Sequence, residues 1–188
     1  MRILEAIEDQ ERLLSLARAT AEADLSGKPI PSVPPGSFSA VDCGGVFVTF
    51  WHGERLRGCV GTFGPVANLA RTVQAATRSS LRDARFATSP ITVAELGKLE
   101  MEVSLLSEPL RVSQPASLIP GVHGIIVKRG DRSGCFLPKV ALEHGWSAEK
   151  FLSCCCTMKA GLPEHSWREP GTEVYVFTAQ SIRGDALD

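Results

Sequence analysis

Little in this chain leans to one side. Lysine and arginine together number 20 and aspartate and glutamate 21, so the formal net charge is −1. Such a balance offers no electrostatic footprint for nucleic acid or an anionic membrane. No apolar run approaches the ~18 residues of a membrane-spanning helix. The first residues, Met1-Arg2-Ile3 followed by Glu5, Glu8, Asp9 and Glu11, do not read as a secretory signal. No C-x-x-C pair occurs, which leaves a zinc or iron–sulfur site with little support, and no metal or cofactor is expected. The six cysteines are not spaced as a disulfide scaffold: Cys154, Cys155 and Cys156 are consecutive, and Cys43, Cys59 and Cys135 stand alone. Reduced thiols and a cytoplasmic location are the expectation. Tandem repeats and low-complexity tracts are absent as well. A hydrophobic share of 44% over 188 residues is what a soluble domain, or one domain with two lobes, requires.

Periodicity then orders the chain. Glu5 to Leu25 reads as an amphipathic helix with Leu13, Ala17 and Ala21 on one stripe. The prolines at 29, 31, 34 and 35 end it in an extended connector. Val46 to Trp51 is β-branched and aromatic, and His52-Gly53-Glu54-Arg55 turns the chain back into a partner strand from Leu56 to Val60. Pro65 suits the first turn of a following helix whose buried face is Val66, Leu69, Ala70, Val73 and Ala76. Leu99 to Leu106 alternates as a half-buried strand. Gly124–Val127 and Cys135–Leu137 are further strands, Ser147 caps a helix running through Lys159 to a stop at Gly161, and Glu173 to Ala179 forms a last strand. Strands and helices mix without a βαβ rhythm. The expected class is α+β with a mostly antiparallel sheet and flanking helices.

The chemistry concentrates in Leu56-Arg57-Gly58-Cys59-Val60-Gly61-Thr62-Phe63-Gly64. If the hairpin turns at Gly53 and Glu54, Phe50 faces Arg57 and Val48 faces Cys59. Arg57 and Cys59 then share one face, where a guanidinium favours the thiolate. N–H groups from Gly61 to Gly64, at a helix start, would add anion donors. On this reading Arg57, Gly58, Gly61 and Thr62, with Glu102, bind a small anionic ligand and Cys59 is the nucleophile. The alternative is a packed corner with Cys59 as a small apolar residue and Arg57 paired to a carboxylate, for which Glu102 is the candidate. His52 lies ~10 Å or more along the strand from Cys59 at ~3.3 Å per residue, too far for a base. Asp83 with Arg85 reads as an ion pair fixing a helix end. Among the three consecutive cysteines, Cys155 falls on the apolar stripe Ala148, Phe151, Leu152, Cys155 and Met158. Successive helical residues diverge by ~100° and cannot clasp one ion.

The same residues carry a resemblance. Leu56 to Phe63 resembles the signature of the AMMECR domain family. Gly45-Val46-Phe47-Val48-Thr49, Asp83-Ala84-Arg85-Phe86, Glu102-Val103-Ser104, Arg132 to Val140, Gly145-Trp146 and Lys159 to Pro163 extend the likeness over nearly the whole chain. The resemblance implies a two-lobed α+β domain, with the signature near a cleft between lobes. It also implies a shared pathway with a Memo-type protein and a radical-SAM enzyme, as in prokaryotic members encoded with these. Within it His123, in Gly121-Val122-His123-Gly124, becomes the candidate base, ahead of His144 and His165. Two functions stay open: a modification enzyme using Cys59, or a non-catalytic binding or adaptor module that presents the cleft to a partner.

Overall fold

Val46, Val48 and Phe50 alternate with Phe47, Thr49 and Trp51, and that two-residue period decides which face of the first sheet is buried under helices. The computed structural model describes residues 7–38 and 41–185. In chain order its elements are α1 (Ile7–Leu25), β1 (Gly45–His52), β2 (Arg55–Phe63), α2 (Leu69–Leu81), α3 (Val93–Leu96), β3 (Glu100–Leu106), β4 (Leu110–Arg111), β5 (Gly124–Arg129), β6 (Arg132–Phe136), α4 (Pro138–Glu143), α5 (Ala148–Cys155), β7 (Glu173–Phe177) and β8 (Ala179–Gly184). They form two compact units, one of residues up to 106 with the segment from 180, the other of residues 107–179.

The first unit is a four-stranded sheet, β2-β1-β3-β8, antiparallel where β1 meets β2 and β3. Leu13, Ala17 and Ala21 of α1 and Val73 and Ala76 of α2 pack with Val46, Val48, Phe50, Met101, Val103, Leu105 and Ile182 as its core. Glu5 and Ala6, expected in the first helix, lie outside the described residues. The helix after the signature starts later than Pro65 suggests. Asn68 is its N-cap, accepting from the Arg71 N–H at 3.0 Å, while Gly64 N–H is still tied to the Gly44 carbonyl at 2.9 Å. An Asx cap offers the backbone a better start than proline alone.

The second unit is the sheet β4-β7-β5-β6, antiparallel at each described pairing. Ile125, Val127, Phe136, Phe151, Leu152, Cys155, Trp167 and Val174 form its core. Ser147 caps α5 by accepting from Lys150 N–H, and Gly161 ends the helical run at φ +63°, both as the sequence requires. Between them residues 156–160 widen into a π-helical turn. The extra residue per turn rotates the stripe. Met158, expected inside, is 63% exposed, whereas Cys156 is fully buried beside Cys155. Burial pushes the Cys155 thiol well up from the ordinary range and raises that of Cys156 as well. Trp167 is buried as an anchor, its indole N–H donating to Ser153 Oγ at 3.1 Å. Among the described residues no helix is long and apolar enough to cross a membrane.

Candidate functional site

The hairpin does not pair as a simple turn at Gly53 and Glu54 would have it. Thr49 lies opposite Cys59, Phe50 opposite Gly58 and Trp51 opposite Leu56, with the register shifting between Phe50 and Trp51. Arg57 is therefore the extra residue of a β-bulge. A bulge breaks the strict alternation of faces, and it corrects the expectation that the Arg57 and Cys59 side chains project together.

Arg57 is 4% exposed. Its Nε and Nη2 donate to Glu95 Oε1 and Oε2 at 2.6 and 3.0 Å, and Nη2 also reaches the Ser89 carbonyl at 3.0 Å. The carboxylate partner is thus Glu95 of α3, not Glu102. This two-pronged pairing raises the Arg57 pKa further and lowers that of Glu95. Of the guanidinium nitrogens only the buried Nη1 is left without a partner, so an anion could meet Arg57 there alone unless it displaced Glu95.

The glycines serve packing. A Cβ on Gly58 would stand 2.2 Å from the Ser80 carbonyl oxygen, so its absence lets α2 cross directly on the strand. A Cβ on Gly61 would meet the Val46 carbonyl at 2.2 Å and the Phe47 ring at 2.3 Å. Thr62 is exposed, its hydroxyl donating to the adjacent Phe63 carbonyl at 3.2 Å. Gly61 to Gly64 do not form a helix N-terminus, which corrects the expected anion nest.

Behind the signature runs a polar frame. The Ser80 hydroxyl, fully buried, accepts from Val60 N–H at 2.9 Å and donates to the Val48 carbonyl at 2.8 Å, bridging the two strands. Asp83 accepts from the Cys59 N–H at 3.0 Å and from Arg85 N–H, Nε and Nη2. The Arg85 guanidinium beside it, chiefly, holds the Asp83 carboxyl down at about 2. The ion pair expected of Asp83 and Arg85 is present at 2.6 Å, and it does more than end a helix: it grips the backbone of Cys59.

On the opposite face of the sheet, register aligns Cys59, Thr49 and Glu102 in one row across β2, β1 and β3. Thr49 Oγ1 donates to Cys59 Sγ at 3.2 Å. Glu102 Oε1 accepts from Ser104 Oγ at 3.1 Å and Ser181 Oγ at 3.2 Å. Thr49, Glu102 and Ser104 are buried and Cys59 is half-buried. His123 belongs to the second unit, where its Nδ1 accepts from the Ile119 N–H at 3.0 Å. This is a loop-fixing bond, and it leaves the proton of the neutral ring on Nε2. Thr49, Ser80 and Glu95 escape sequence reasoning. Only Glu95 left a trace, since Thr92-Val93-Ala94-Glu95 has the spacing of a capping box, and Thr92 Oγ1 does accept from the Glu95 N–H.

Two antiparallel sheets with flanking helices, an edge-strand bulge locked by a buried ion pair, and a cysteine–threonine–glutamate row on the sheet define an α+β protein of one recognisable type. The AMMECR1 family model matches residues 14–182, and the chain belongs to that family. Protein MK0488 of Methanopyrus kandleri is 42% identical over 185 residues, spanning 93% of this chain and 87% of its own length. A protein of Methanothermobacter thermautotrophicus is 42% identical over 183 residues, spanning 92% and 93%. The crystal structure of an uncharacterized protein, PH0010 from Pyrococcus horikoshii, superposes with a TM-score of 0.82 at 36% identity, covering 93% of this chain and 90% of that one.

Proposed function

We propose that the chain is a thiol enzyme of a modification pathway, with Cys59 as its reacting group and a Memo-type protein and a radical-SAM enzyme as its pathway partners. The observation that carries this reading is the Thr49 hydroxyl aimed at Cys59 Sγ at 3.2 Å. A hydrogen bond donated to sulfur favours the thiolate, the nucleophilic form. Glu102, held by Ser104 and Ser181 in the same row, would orient a donor group of the substrate. Arg57 supports the site from within the bulge, where Glu95 holds it, and the glycines let helix and ring close against the strand.

Iodoacetamide labelling of the native protein across pH 6 to 10, read by peptide mass, tests this. Cys59 should alkylate ahead of the buried Cys43, Cys154, Cys155 and Cys156, with an apparent pKa below the ~8.5 of a free thiol. Thr49→Val, which removes the donor to the sulfur, should raise that pKa. A Cys59 that reacts only after denaturation would remove the nucleophile. The second reading, a non-catalytic binding module, is favoured by the neutralised Arg57 and the filled glycine sites; it expects Cys59 to label with the pH dependence of an ordinary thiol, near ~8.5, and Thr49→Val to leave that profile unchanged.

A further inference from the structure

Within the first unit β2 is an edge strand. Its outward main-chain groups are handled unevenly. At Cys59 the N–H donates to Asp83 Oδ2 and the carbonyl accepts from Arg85 Nη2, each at 3.0 Å. The Asp83–Arg85 pair therefore occupies the place of a further strand. Two residues on, alternation turns the N–H and C=O of Gly61 the same way, but among the described residues no such pair stands there. An edge of this kind is a template for strand addition.

Alongside runs α2, with Ser80 over Gly58. A groove separates helix and edge. It measures about 130 Å³ where Gly61, Thr62, Thr72 and Ala75 line it, and about 620 Å³ where Val60, Arg78, Ser79, Arg82 and Asp83 do; both stretches share Val60, Ala75 and Ser79. Ala75 and Ser79 are exposed and short, leaving room for an extended backbone. The wider end is basic. Arg78 and Arg82 are 53% and 60% exposed in their side chains, and Asp24 is the carboxylate they share. With Arg85 and Asp83, three guanidinium groups face two carboxylates.

From these features we propose that the β2–α2 groove docks an extended segment of a partner protein. The segment adds to the edge at Gly61 through main-chain hydrogen bonds and points an acidic residue at Arg78 and Arg82. Main-chain pairing supplies affinity and the charged end selects the partner. The basic excess argues for an acidic segment over a neutral one. This surface is separate from the Cys59 sulfur, which lies on the sheet face, so the proposal stands whatever that thiol does.

A phage-displayed heptapeptide library panned against the full chain tests it. Enriched peptides, synthesised with a fluorescein label, are measured by fluorescence polarisation. Peptides bearing Asp or Glu should be enriched. Ala75→Trp, which fills the groove from an exposed helix position, should weaken them at least about tenfold, and Arg82→Gln about threefold. Lys128→Trp, exposed in the second unit, should leave binding unchanged. Hydrogen exchange at the Gly61 amide should slow in the complex. Ser79→Trp replaces Ala75→Trp if the latter melts early. The proposal falls if no acidic peptide is enriched or if binding survives both tryptophans. It falls equally if sedimentation shows the tryptophans dissolving a dimer, which would give the groove to a second copy of the chain.

Discussion

Each unit closes one edge of its sheet with the same packing device, yet only one of the two closures is braced by a buried ion pair. In the first unit Gly58 of β2 lies under the last turn of α2, where a Cβ would stand 2.2 Å from the Ser80 oxygen. In the second, Gly134 of β6 lies under the end of the helical run that follows α5, where a Cβ would stand 2.4 Å from Ala160 N and 2.6 Å from the Lys159 carbonyl carbon. Around Gly134 the supports are light: Lys159 over the Phe136 ring at 5.3 Å and an exposed Arg132 donating to the Gly161 carbonyl at 2.8 Å. Around Gly58 they are a buried arginine, two carboxylates and a bridging hydroxyl. A glycine in an edge strand thus marks the approach of a helix in both units. The added polar frame belongs to β2, the strand that also carries Cys59.

Breaking the ion pair should expose this difference most. Glu95→Gln strands a guanidinium that is 4% exposed, and losing one partner of a buried pair costs about 3 kcal/mol. Arg132→Gln, at an exposed site on β6, should cost under about 0.5 kcal/mol. Urea midpoints of the two variants give the contrast directly. Equal losses would mean that Arg57 is solvated in solution and that the charged frame is incidental.

Next in size come the shared elements. Gly58→Ala and Gly134→Ala each drive a methyl into helix backbone, which cannot swing aside, and each should cost about 2–3 kcal/mol. If Gly134→Ala is tolerated while Gly58→Ala is not, the two closures are unlike and the parallel fails.

How far this was legible in the sequence depends on how local each signal is. Ser147 and Gly161 act on their own backbone, so the ends of the second unit's helical run could be read without any knowledge of the fold. The alternation of β1 fixed its buried face in the same way. Residues Leu56-Arg57-Gly58 carry nothing that announces a bulge, because the shift follows from Arg57 finding Glu95, 38 residues away. One slipped residue changed the face of the arginine and with it the reading of the site. The glycines differ for a related reason: their spacing shows that something approaches closely, but whether a ligand or a helix approaches is tertiary information. Strand β8 is not legible in the sequence, because Gln180, Ser181, Arg183 and Gly184 mask a strand in which Ile182 alone is buried.

The smallest of these effects probes the carboxylate at the edge itself. Asp83 is 7% exposed and its carboxyl is held down from 3.8 to about 2, chiefly by the Arg85 guanidinium and further by the N–H groups of Cys59 and Arg85. A folded-state pKa below the unfolded one stabilises the fold fully above about pH 4. That contribution drains away as pH falls toward 2, and the difference corresponds to about 2 kcal/mol. Asp83→Asn should lose this contribution at neutral pH and with it the part of the acid slope between pH 4 and 2 that the native protein shows. The β6 closure has no carboxylate among the contacts described around Gly134, so Gly134→Ala should lower stability while leaving that slope intact. Hydrogen exchange localises the effect. Acid should release the Cys59 amide, whose acceptor is Asp83 Oδ2, before the amides paired between β5 and β6. Release of both sets together at one pH would mean that the carboxylate does not govern the β2 edge, and that the two closures differ in composition without differing in what they do.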